Sequence, residues 1–393
     1  MASSIGLSRL LEEDEPVSAV ALFPLNAEAR IRAITDALNA TGNHPDLASL
    51  QRESQQALRY DAGDARLYSL LGEIDYRGGN RDEAYRLFER ARQFSKTEIH
   101  ALQRTIVHSI EMGDLTKAVR EADILLRRWP ERLGAMAASF PLILAKEDGY
   151  NAILAALTAE VPWRGNLFNA LAKDPTGIGA ADRLLLDLKR SDAPPRQGEL
   201  ASVIGGYITQ KRYEAAYHLF LFTLSDEEKK LGGYVFNGRF SPLQTHRPFD
   251  WQIRGQAGLE ITFAEPANEL DGARGAKVRF LNKPVKDVSL QQFVQLPPGS
   301  YLITLNATGS NLKLPKELFW SMRCVNLNTE LLKLGIPEGS FDNKILSANF
   351  TVGPDGCDMQ VLKLQTGLIA ESWRYRYVGI LTMHDIRIER LAS

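Results

Sequence analysis

The 393-residue chain is poor in metal-binding and redox side chains, with two cysteines, Cys324 and Cys357, and six scattered histidines. Two thiols are too few for a four-ligand structural zinc site, and no histidine stands near either in sequence to complete one. They suffice for one disulfide or stand as two buried reduced thiols, and both alternatives stay open. An excess of charge of one sign is also missing. The 47 basic and 48 acidic residues cancel, so no global field draws the chain to nucleic acid or to an anionic bilayer. No apolar run approaches the roughly 18 residues that a membrane span requires. A secretory start is missing too: Glu12, Glu13, Asp14 and Glu15 precede the one short apolar run, Val17 to Leu25, where a signal carries basic residues. On residues alone the expectation is a cytoplasmic chain that does not span a membrane.

Motifs of catalysis are likewise absent. There is no Gly-x-Ser-x-Gly elbow, no phosphate loop ending in Gly-Lys-Ser/Thr and no His-Glu-x-x-His helix. His100 and His108 are eight residues apart, two helical turns and not one. Gly177 and Gly179 resemble the start of a dinucleotide fingerprint, but helical sequence and Asp174-Pro175 precede them in place of a strand. The basic pairs Arg127-Arg128 and Lys189-Arg190 suit solvated helix faces. The expectation is a noncatalytic protein that needs no cofactor, with a purely structural scaffold as the first alternative and, as the second, an enzyme whose carboxylates or histidines assemble between the two halves of the chain.

What the chain does have is a repeat. Gly79-Asn80 recurs as Gly113-Asp114, and Ala84 recurs as Ala118, each 34 positions later. Leu71-Gly72 lies on a first helix, and Ala84, Phe88 and Ala91 mark a second at spacings of four and three. Small residues let two helices approach while Phe88 fills the gap, and each pair leaves an apolar face that only a stacked neighbour can cover. Pro130 then falls where a helix must stop. This step and pattern resemble the tetratricopeptide family over about Ala27 to Leu133. Turns at Gly42-Asn43, Gly78-Gly79-Asn80 and Gly113-Asp114 separate the helices, and Asn26 suits the N-cap of a helix from Ala27 to Leu38. Helical spacing continues without the strict step from Leu133 to Asp226, through Pro141, Pro162 and Pro194-Pro195. A further pair follows over Leu200 to Ile208 and Tyr213 to Leu224.

Near Leu231-Gly232-Gly233 the pattern changes to about ten short β-prone runs, from Tyr234 to Glu389, with no helix long enough for a crossover. The expected architecture is therefore α + β and multidomain: a leader over residues 1–26, a helical repeat array over 27–230, and an antiparallel β-sandwich over 231–393.

Several segments of the strand region, in this order, resemble a jelly-roll carbohydrate-binding module. They are Phe236-Asn-Gly-Arg-Phe240, Phe249-Asp-Trp251, Val278-Arg-Phe280, Val294-Gln-Leu-Pro-Pro-Gly-Ser-Tyr301 and His384-Asp-Ile-Arg-Ile-Glu389. Together with Pro162-Trp163-Arg164 and the two cysteines, the whole chain resembles tetratricopeptide proteins found with bacterial exopolysaccharide genes. That resemblance implies an envelope or periplasmic location, against the cytoplasmic one read from the residues. It also implies a protein or peptide partner for the array and a polysaccharide for the sandwich. Many such proteins carry an upstream membrane segment that this chain does not show. A structural calcium in such modules would use the position of Asp385. Sugar recognition needs aromatic faces and polar neighbours. Trp251 and Trp320 lie in apolar strands and suit the core. Trp373, Tyr375 and Tyr377 alternate with Arg374 and Arg376, so a strand through them would present three aromatics on one face, as a glycan platform or as core.

Overall fold

The structure, a computed structural model, describes residues 2–40, 45–242, 245, 247–264, 275–327, 329–368 and 373–392. The Gly42-Asn43 turn lies outside these residues. Among them are sixteen α-helices, all N-terminal to ten β-strands. The chain divides into two compact units, Met1–Leu167 and Phe168–Ser393.

In the first unit, helices α1 (Ala2–Leu11) and α2 (Pro16–Leu22) occupy the stretch expected as a leader. Ser8 is what fixes them. Its buried hydroxyl donates to the Ala19 carbonyl (2.7 Å) and accepts from the Asn26 amide (3.0 Å). Asn26 also caps α3 (Ala27–Asn39) by accepting from the Ala29 amide. Three hairpins follow, α3 with α4 (Leu47–Leu58), α5 (Ala65–Arg77) with α6 (Arg81–Phe94), and α7 (Ile99–Glu111) with α8 (Leu115–Arg128); the starts of α4, α6 and α8 and those of α5 and α7 are 34 positions apart, while α3 starts 38 before α5. Gly79 and Gly113 hold φ of +86° and +77°, the left-handed turn that glycine adopts without strain. Ala57, Ala84, Ala91 and Ala118 are all 1 % exposed or less, so the backbones close on one another there. At Gly72 the approach is closer still: a Cβ would stand 2.7 Å from Phe88 Cε1. After α8, Pro130 opens a single 3-10 turn (Pro130–Arg132), and α9 (Leu133–Met136), α10 (Ser139–Leu144) and α11 (Glu147–Thr158) continue without the repeat. Trp163 is buried and its indole N–H donates to Asp123 (2.9 Å).

The boundary between α11 and the second unit is crossed by α12 (Arg164–Lys173). Beyond it come α13 (Ile178–Lys189), α14 (Gln197–Thr209), α15 (Tyr213–Thr223) and α16 (Asp226–Lys229). Gly177 caps α13 and follows a helix, not a strand. These helices belong to the same compact unit as the strands, whereas the change of sequence pattern falls at 231. The reason is visible in α15. Tyr217 and Phe220 pack on Phe249 with ring centroids 5.2 and 5.4 Å apart, and Phe220 meets Phe236 at 5.1 Å. The fully buried Arg247 hydrogen-bonds Thr223 (3.0 Å) and ion-pairs with Glu228.

The strands form two antiparallel five-stranded sheets, the sandwich that the sequence pattern implied. One has the order β1 (Gln252–Ile253), β4 (Asp287–Val294), β9 (Gln360–Thr366), β6 (Leu318–Cys324), β7 (Glu330–Ile336). The other runs β2 (Leu259–Ala264), β3 (Gly275–Lys283), β10 (Tyr377–Arg390), β5 (Gly299–Lys313), β8 (Gly339–Val352). Inward residues alternate with outward ones, as in β9, where Leu362 and Leu364 are buried between Val361, Lys363 and Gln365. Trp251 and Trp320 sit in this core, 5.6 Å apart, and the Trp251 indole donates to the Asn237 carbonyl. No strand forms at Tyr234 to Phe236, which lies in turns.

Candidate functional site

Trp373, Tyr375 and Tyr377 do not share a face. Strand β10 begins only at Tyr377, and residues 373–376 form a turn, so the two-residue alternation of a strand does not extend back through them. Arg376 shapes that turn by donating from Nε to the Trp373 carbonyl (2.9 Å). Tyr377 is fully buried against Phe280 and belongs to the core. Tyr375 is half-buried with the Lys316 ammonium 4.9 Å from its ring centre. Trp373 is 64 % exposed, and the Arg376 guanidinium lies 5.4 Å from its ring centre. The loop thus displays one open indole, one partly covered phenol and two flanking cations. Lys283 and Lys313, the register partners of Tyr377 and Val378, end their strands at the same edge. Aromatic faces with adjacent polar heads can stack on a pyranose ring or a cation, and the flanking positive charge disfavours the cation.

Asp385, the position expected for a calcium ligand, lies on β10. Its carboxylate is ion-paired with Arg387, two residues along the same strand. No group of three or more His, Cys, Asp or Glu suited to a metal ion occurs among the described residues, and calcium asks for six or more oxygens.

Cys324 and Cys357 are joined in a disulfide with Cα atoms 5.2 Å apart. Cys324 ends β6, and Cys357 lies in the loop that leads into β9, one strand away. The bridge therefore pins a loop to a strand. Beside it, residues of α15 and two loops frame a cleft of about 730 Å³. Its lining includes Tyr213, Tyr217, His218, Tyr234, Gln295 and Asp358. The tyrosines are separated by up to 21 positions and the loops by about 60 more, so sequence spacing alone does not bring them together. One pair of tyrosines four apart on α15, Tyr213 and Tyr217, was the one local signal.

In the first unit, α3, α5 and α7 line a groove of about 260 Å³. Its centre is Glu73, whose buried carboxylate accepts hydrogen bonds from Arg77 (2.7 Å), His100 (2.9 Å) and Nε and Nη2 of Arg104. Burial alone would raise its pKa. Hydrogen bonds from His100 and Arg77 and the charge of Arg104 outweigh it and bring Glu73 down to about 2. Among the described residues, no helix is long and apolar enough to cross a membrane.

No family model matches the chain, and no curated protein matches it. Solved structures with similar parts fall in two groups. A carbohydrate-binding module (CBM4) aligns at 13 % identity and TM-score 0.30 over 40 % of this chain and 99 % of its own. A module of Cellvibrio mixtus lichenase 5A, solved with cellotriose, aligns at 14 % identity and TM-score 0.23 over 37 % of this chain and 98 % of its own. A tetratricopeptide repeat protein from Parabacteroides merdae aligns at 18 % identity and TM-score 0.25 over 52 % of this chain and 96 % of its own. At these scores the likenesses add nothing to the topology already described.

Proposed function

We propose that the chain is a noncatalytic adaptor in bacterial envelope or exopolysaccharide assembly, with the helical array taking a protein partner and the sandwich holding a glycan at Trp373 and Tyr375. The observation that carries this is Trp373, an indole left 64 % exposed on a sandwich whose other tryptophans, Trp251 and Trp320, are buried. An open indole costs hydrophobic free energy in water, and contact with the apolar face of a sugar recovers it. Lys316 and Arg376 beside the two rings supply donors for hydroxyl or carboxylate groups. The Cys324–Cys357 bridge favours an oxidising compartment, in keeping with the envelope. The groove on α3, α5 and α7 offers charged groups of both signs, Arg66, Arg77 and Glu98, to an extended peptide.

A purely structural scaffold is the second reading, and the burial of Tyr377 favours it, since one of the three aromatics serves the core. A polysaccharide array probed with the full chain separates the two. The adaptor binds at least one bacterial polysaccharide and loses about tenfold in affinity on Trp373→Ala, the scale of one lost aromatic contact. Absence of binding across the array removes the glycan half of the proposal.

A further inference from the structure

The cleft between α15 and the sandwich has the makings of a second binding site, and we propose that it takes a short, uncharged oligosaccharide. It shares with the proposed function only the class of ligand. The two places lie at opposite ends of β9: the cleft at the Gln360 end and the Trp373 loop beyond Thr366.

Three features show that the cleft is built rather than incidental. First, its lips are tied together by one side chain. Gln360, fully buried on β9, accepts from the Leu296 amide (2.9 Å) and donates to the Cys357 carbonyl (2.7 Å), so loops 295–298 and 353–358 are held by the same amide group. The disulfide fixes the second loop again, to β6. Second, the aromatic rings are held before any ligand arrives. Tyr217 stands edge-on to Phe249 at 5.2 Å, and Tyr234 edge-on to Tyr301 at 5.6 Å. The Tyr301 hydroxyl in turn donates to the Pro297 carbonyl (2.6 Å). Third, the volume of about 730 Å³ lies within the roughly 300–1,000 Å³ of small-ligand clefts.

The chemistry of the lining selects the ligand. Tyr217 and Tyr234, both half-buried, give aromatic surface with a hydroxyl at the edge. Gln295, His218, Glu214 and Asp358 add donors and acceptors that suit vicinal hydroxyl groups. On the rim, Lys211 and Arg212 are offset by Glu214 and Asp358, so the cleft has no net field for an anion or a cation. A pyranose chain, apolar on its faces and polar at its edges, matches rings that are already ordered, and the entropy cost of ordering the protein side is small.

Calorimetric titration of the full chain with short gluco-, xylo-, manno- and galacto-oligosaccharides tests this, with oligogalacturonate and a proline-rich peptide as the acidic and peptidic alternatives. The expected result is saturable binding by a neutral series, with hydrogen-exchange protection confined to residues 211–218, 295–298 and 353–358. Ala215→Trp, which fills the cleft, weakens that binding about tenfold or more, while Trp373→Ala leaves it unchanged. The exposed pair Glu214→Ala with His218→Ala weakens it about threefold or more and guards against misfolding of the bulky variant. Polysaccharide binding through Trp373 shows the reverse dependence, so the two sites fail separately. The proposal is overturned if no neutral series binds, if only the acid or the peptide binds, if protection falls on 373–376, or if both cleft variants bind like the parent.

Discussion

Gly72 shows how narrowly single atoms set the helical stack. A methyl group there would meet Phe88 Cε1 at 2.7 Å and the Ala84 carbonyl at 3.1 Å, so Gly72→Ala forces α5 and α6 apart. We expect a loss of about 1–3 kcal/mol in denaturant unfolding of the first unit, despite alanine's better helix propensity. Glu73 makes the same unit sensitive to acid. Its pKa in the folded chain is lowered to about 2, so its contribution is present above the unfolded value near 4.3 and is lost as pH falls toward 2. Acid titration of unfolding should show stability falling across that window, with a smaller slope in Glu73→Gln. The close approach was legible in the sequence through Ala84 and Phe88, the residues that Gly72 meets, and not through Gly72 itself, whose places 34 residues away hold Leu38 and Ile106. The single face expected for Trp373, Tyr375 and Tyr377 does not form, for a local reason: Arg376 folds back on the Trp373 carbonyl, and alternation holds only once the strand has begun.

At the scale of elements, the disulfide and the buried Arg247 are the two fasteners of the second unit. The bridge closes a separation of 33 residues, and a loop of that size is worth roughly 3–4 kcal/mol. Reduction, or Cys324→Ala with Cys357→Ala, should lower the denaturation midpoint of this unit accordingly and leave the first unit unchanged. Elements were legible where one face is buried. Strands β3 and β9 alternate clearly, and so does β7, where Leu332, Leu334 and Ile336 are buried, whereas β8 alternates only near its end. The reason is its place in the sheet. It is an edge strand, and its first half, through Asp342, Asn343 and Lys344, is exposed, with little core pattern to read. The first two helices were obscured in another way, since Ser8 holds them by hydrogen bonds and not by an apolar stripe.

For the molecule as a whole, composition changes at 231 but the compact unit begins at Phe168. Helical sequence looks alike whether it stacks in a repeat or packs on a sandwich, so the pattern gave no notice of the difference. A fragment starting at residue 231 would uncover Phe236, Phe249 and the unpaired Arg247 guanidinium, all buried in the intact chain. We expect that fragment to aggregate and one spanning 168–393 to unfold cooperatively, as light scattering and thermal melts would show. The glycan account is tested most directly by electrophoresis of the full chain through gels containing bacterial polysaccharides, beside Trp373→Ala. Retardation in at least one gel, reduced about tenfold by the substitution at an unchanged melting temperature, is the predicted result. Equal retardation of both proteins, or none of either, would contradict it.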